Sequence, residues 1–161
     1  MENFDNFVIA RALHVIGVVL WIGGVAFVTT VLIPAVRRID KLNERQAMFE
    51  WLEGRFGWQA KFTTLLTGIT GFYMMAFLDA WDRYLQLEFW WIHLMTLVWL
   101  IFTLVLFVLE PLFLHQWFRE QAQTKSHRTF VRLQQMHILL LTLSLIAVFG
   151  AVAGSHGYSF S

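Results

Sequence analysis

Cysteine is missing from all 161 residues. That excludes disulfides, thiolate metal sites, iron–sulfur clusters and covalent haem attachment through Cys-x-x-Cys-His. Any haem would be held non-covalently. Proline is nearly missing, with two residues, Pro34 and Pro111. Charge is scarce, at 14% of residues against 58% hydrophobic. A formal net charge of +1 gives no electrostatic case for nucleic acid. No low-complexity segment, linker or internal repeat breaks the chain, so it reads as one domain covering 1–161.

What is present is apolar sequence in long runs. A membrane span needs about 20 apolar residues. Four segments qualify, at about 8–33, 61–78, 89–113 and 133–154. None shows strand alternation. A backbone in lipid must satisfy its own hydrogen bonds, so each is expected to be a helix. With short connections, the fold class is an all-α integral membrane protein, an up-and-down four-helix transmembrane bundle. The first run reads as a span and not as a cleavable signal. It is long, follows Glu2, Asp5 and Arg11, and has no small-x-small cleavage site.

Lysine and arginine set the orientation. Arg37, Arg38, Lys41, Arg45, Arg55 and Lys61 fall in or beside the first connection, and Arg119, Lys125, Arg128 and Arg132 in the third. Only Arg11 and Arg83 fall on the other side. Both basic loops are therefore expected in the cytoplasm and both termini outside. That is the topology of a multi-pass protein of a bacterial inner membrane with periplasmic ends. In the first connection, Met48, Leu52 and Phe56 recur at helical spacing. This stretch is either an amphipathic helix on the inner surface or an extension of the second span.

The six histidines sort by depth. His14 lies near the outer end of span one, and His93, in "WWIHLM", near the outer end of span three. The two helices run in opposite directions, yet each places its imidazole about 5–10 Å inside the outer boundary. Two imidazoles at one depth on different helices are the arrangement for bis-histidine haem ligation in a bundle. Imidazole is costly to leave unpaired in lipid. Polar contact between helices and proton relay are the other readings. His137 and His115 form a weaker ligand pair at cytoplasmic depth. His156 lies just beyond span four, on the outer side, as a further weaker metal-ligand candidate, and His127 in a polar loop.

The neighbours of His14 extend the haem reading. Gly17, Trp21 and Gly24 share its face of helix one. Glycine leaves room for a flat macrocycle, and Trp21 is placed to pack on its rim. Arg11, three residues before His14, is placed to pair with a propionate. On helix two, Thr64, Gly68, Gly71 and Met75 form another small-residue face. The alternative for both faces is close helix packing, which is also the reading for Gly150 and Gly154. Glu110, before Pro111, is expected to find Lys61, Arg132 or another basic group. Trp58, Trp81, Trp90 and Trp91 read as interface anchors.

"RALHVIGVVLWIGG" with "WWIHLMTLVW" resembles the small bacterial membrane proteins grouped near the CopD-type copper resistance proteins and the HemJ-type protoporphyrinogen oxidases. "EGRFGWQAKFTTLLTGITGFYM" resembles the passage from basic loop into helix two of such proteins. The HemJ resemblance implies haem b held by the histidines of helices one and three, here His14 and His93. That family carries lysine two residues after the second histidine, where this chain has Met95. Methionine cannot supply the charge or its proton, which weighs against porphyrinogen oxidation. The CopD resemblance implies copper handling, although the six methionines are scattered. The expectation is a haem b protein with His14 and His93 as axial ligands, near the outer face. Its work would be electron transfer with a quinone or an outer-face redox protein as partner. Copper is the alternative cofactor.

Overall fold

The computed structural model describes residues 2–158. Of these, the side chains of 2–3, 42–43, 46, 49–50, 53 and 113–129 are outside the description. The described chain is helical almost throughout. Helix α1 (Glu2–Phe27) continues through a π-helical turn, Val28–Leu32, into α2 (Ile33–Arg37). Helix α3 (Leu42–Phe77) follows a short bend. Two 3-10 turns, Trp81–Leu85 and Leu87–Phe89, lead to α4 (Trp90–Leu104). A second π segment, Val105–Leu114, precedes α5 (His115–Ser155).

Both prolines lie at π segments, and the first shows why. The Ile33 N–H bonds to the Val28 carbonyl, five residues back. In that register the Thr29 carbonyl would take its bond from residue 34, which is proline and has no N–H. Gln134 of α5 supplies the missing donor, with Nε2 at 3.4 Å from the Thr29 oxygen. Its own Oε1 accepts from Arg37 Nη1 at 2.6 Å. A proline break is tolerated at membrane depth when a neighbouring helix restores the lost bond in this way.

Among the described residues, three helices are long and apolar enough to cross a membrane: Phe4–Arg37, Leu87–Leu112 and Phe130–Ser155. Their positions agree with the expected first, third and fourth spans. The expected span at 61–78 does not stand as a separate helix. It is the C-terminal half of α3, which runs unbroken from the basic first connection. Threonine lowers its hydropathy. Thr63, Thr64, Thr67 and Thr70 sit there, all buried.

Helix α1 packs most extensively on α3, and α4 on α5. The first pair is antiparallel, since Phe7 stacks on Phe77 while the space at Gly24 is filled by Phe56. The second pair is antiparallel too. Gly150 and Gly154 receive the rings of Trp90 and Trp91, so a Cβ at either position would fall within 3 Å of an indole. Those two tryptophans are half-buried packing groups, whereas Trp58 and Trp81 are exposed as interface anchors would be. One core cluster, around Trp21, Val25, Val98 and Phe102, joins α1 to α4, with α5 leucines against it. A second gathers Val28, Leu32, Ile33 and Val36 around fully buried Phe130, with Leu52 and Phe56 against it.

Candidate functional site

His14 is held by α3. Its Nδ1 lies 2.9 Å from the Thr67 carbonyl oxygen and 3.1 Å from Thr70 Oγ1. A carbonyl can only accept, so Nδ1 carries the proton and Nε2 keeps its lone pair. The Thr70 hydroxyl donates to the Leu66 carbonyl at 2.6 Å, which leaves its oxygen free to accept from His14. Gly71 makes room for the ring, since a Cβ there would lie 3.1 Å from His14 Cε1. A backbone carbonyl on one imidazole nitrogen, with the other nitrogen open, is the arrangement that orients metal-ligating histidines.

His93 is held differently. Its Nε2 is 2.9 Å from the Tyr84 carbonyl oxygen and its Nδ1 is 3.2 Å from that of Phe89. Both partners only accept, so a neutral ring satisfies one of them. The Tyr84 ring also stands edge-on to the imidazole at 5.6 Å. The Tyr84 hydroxyl bonds Thr96 Oγ1 at 2.7 Å, pinning this turn to α4. The two histidines thus belong to different local networks, His14 to α3 and His93 to the turn before α4.

The remaining expected residues divide in the same way. The space at Gly17 is taken by Thr67, whose Oγ1 would lie 2.6 Å from an added Cβ. That glycine therefore serves close packing of α1 on α3. Trp21 is buried and meets Phe102 edge to face at 5.0 Å. Arg11 is exposed on α1. His137 Nδ1 donates to the Leu133 carbonyl one turn back, and exposed His156 does the same to Val152. The side chains of His115 and His127 lie outside the described residues, and with them the proposed pairing of His115 with His137. Among the described residues, no three or more His, Cys, Asp or Glu side chains gather as a metal cluster. For haem the fit is partial: His14 offers an open nitrogen, and His93 would first have to leave Tyr84.

Glu110 finds Lys61, one of the partners expected for it. Lys61 Nζ donates to Oε1 at 3.2 Å and lies 3.1 Å from Oε2. Between this pair and His14 runs a line of threonines on α3. Thr67 donates to the Thr63 carbonyl at 2.8 Å, and Thr63 to that of Gln59 at 2.9 Å. Trp99 of α4 donates to the Thr64 carbonyl at 2.9 Å and fills the space at Gly68. Among the described residues, four buried polar atoms have no hydrogen-bond partner: Trp21 Nε1, Thr64 Oγ1, Thr103 Oγ1 and Glu110 Oε2, the last of which still lies 3.1 Å from Lys61 Nζ. Thr67, Thr70, Tyr84 and Thr103 were not singled out from sequence. The recurrence of threonine at 63, 67 and 70 is the signal that marks the face toward His14.

No family model matches the chain, and no curated protein or solved structure matches it.

Proposed function

We propose that the chain is a four-span membrane protein that binds haem b near its outer face, with His14 as one axial ligand and His93 as the other. The observation that carries this reading is the state of His14: Nδ1–H is committed to the Thr67 carbonyl, and among the described residues none bonds the Nε2 lone pair. His93 would join after its Nε2 leaves the Tyr84 carbonyl. Exposed Arg11 would pair with a propionate. Bound haem would supply one-electron chemistry, with a quinone or an outer-face redox protein as partner, and two axial histidines suit electron transfer better than oxygen binding. The resemblance to the HemJ-type proteins supports the same ligand pair.

The second of the four spans is the membrane half of α3, and its support is an inside-out helix. Thr63 and Thr64, at 1% and 0% exposure, face the bundle, while Phe62 and Ile69 face outward at 57% and 67%. Water would favour the reverse, and lipid favours this. The same half of α3 lies antiparallel along α1, from Phe7, which stacks on Phe77, to Gly17, which meets Thr67 and the Thr63 carbonyl, so it shares the depth of a helix long and apolar enough to span. With four spans, the basic residues put both termini outside, in the periplasm of a bacterial inner membrane.

The test is a visible spectrum of the detergent-purified chain, oxidised and reduced, beside His14→Ala and His93→Ala. A Soret band with sharp reduced α and β bands, lost in either variant, is the expected result. A colourless but folded wild type from haem-replete cells overturns the haem reading. A spectrum that survives His93→Ala overturns the second ligand alone.

A further inference from the structure

We propose that the outward face of α3 at the inner membrane boundary is a binding slot for one anionic phospholipid, built by Trp51, Gly54, Arg55 and Trp58. This rests on the four-span reading above, and not on haem.

Depth comes first. The hydrocarbon core is about 30 Å thick, which is about 20 residues of helix. Counted from Phe77, which stacks on Phe7 at the outer end, that length brings α3 to about Gly57. Helical side chains lean toward the N-terminus. The Arg55 guanidinium accordingly lies over the Trp51 ring, 5.1 Å from its centroid. Its charge therefore stands just beyond the apolar core, at the depth of lipid headgroups. The basic first connection makes this the cytoplasmic leaflet, whose surface carries anionic lipids.

Shape comes next. Gly54 follows Trp51 by three residues and precedes Trp58 by four, so all three share one face. Both indoles are exposed, at 58% and 74%. Nothing lies within 4 Å of a Cβ built at Gly54. The result is an open slot between two indoles, with Arg55 beside it. Trp58 is held by stacking on Phe62 at 6.2 Å, and Arg55 by its cation–π contact. Both are posed without a ligand.

Charge chooses the occupant. The two ion pairs among the described residues, Lys41–Glu44 and Lys61–Glu110, leave Arg55 out. The slot carries one positive charge and no carboxylate. Its complement is a phosphodiester without a compensating amine, which offers two non-bridging oxygens to the planar guanidinium. Beyond Trp58 the same face continues through Phe62, Leu65 and Ile69, all exposed and apolar. From Trp58 to Ile69 this track is about 16 Å long, and an acyl chain lies along it. A free phosphate would use none of it, so the occupant is a lipid.

The experiment reconstitutes the full purified chain, without added haem, in vesicles of equal parts phosphatidylcholine and phosphatidylglycerol. Flotation is measured first. The floated chain is then released into mild detergent, and its retained lipids are identified by native mass spectrometry. The expected result is one phosphatidylglycerol retained in preference to phosphatidylcholine. Arg55→Gln is expected to lower that preference about fivefold with an unchanged circular dichroism spectrum. Gly54→Leu fills the slot and is expected to lower it too. Arg38→Gln, an exposed cation at the end of α2, is expected to change nothing. A floated wild type that retains the two lipids equally overturns the slot. So does undiminished preference in a folded Arg55→Gln chain, or an equal loss in Arg38→Gln. A chain that does not float overturns the span reading and this proposal together.

Discussion

Gln134 is one side chain that ties α5 to two points around the proline break of the first helix. Its amide nitrogen serves the carbonyl that Pro34 leaves without a donor, and its amide oxygen receives Arg37. Leucine at this position would fill the same space and supply neither group. The Thr29 carbonyl is buried, so its loss of a partner carries the desolvation penalty of a backbone acceptor. Gln134→Leu is expected to lower stability by about 1–3 kcal/mol, read from the unfolding midpoint in detergent. Gln134→Glu isolates the donor, since a carboxylate can still accept from Arg37 but cannot donate to Thr29. It should lose part of the same stability. A Gln134→Leu midpoint equal to wild type would show that Thr29 finds another donor. Nothing in the sequence joins these two residues. They are 105 positions apart, and the bond exists only because α5 returns to the proline break in the first helix.

Helices α1, α3, α4 and α5 meet through notches, and a notch differs from an open glycine in what a methyl would strike. At Gly68, an added Cβ would sit 2.5 Å from the Trp99 ring, whose indole also donates to the Thr64 carbonyl. The ring cannot withdraw without breaking that bond. Gly68→Ala is expected to cost about 1–3 kcal/mol, as overpacking does. At Gly23, exposed on α1, nothing lies within 4 Å of the added atom. There alanine gains helix propensity, and Gly23→Ala should be neutral or stabilising by up to about 1 kcal/mol. Thermal unfolding of the two variants side by side checks both signs. Equal effects at the two sites would refute the notch. The existence of the helices was legible from apolar run length. Which glycine is a notch was not, because Gly23 and Gly24 are neighbours with opposite surroundings. Gly24 receives Phe56 and Gly23 receives nothing. The face of α3 that meets His14 was half legible: Thr64, Gly68 and Gly71 were placed together, but the residues that bond the imidazole are Thr67 and Thr70.

For the molecule as a whole, the number of crossings turns on α3. Its composition alone leaves it short of a span. The proposal that it crosses rests on its partner α1 and its inside-out pattern. The two views differ over which side the connections occupy. If α3 crosses, the bend at Lys41 and the turn at Leu85 lie on opposite faces of the membrane. If it does not, they share one face. The missing cysteine makes the choice easy to read, since any introduced thiol is the only one in the chain. Asn6, Lys41 and Leu85 are all exposed. Asn6→Cys and Leu85→Cys are expected to react with a membrane-impermeant maleimide added outside sealed spheroplasts. Lys41→Cys is expected to react only after the membrane is permeabilised. Labelling of Lys41→Cys and Leu85→Cys from the same side would remove α3 from the membrane. The buried threonine face of α3 would then be a helix contact outside the bilayer, and the depth match between His14 and His93 would lose its meaning.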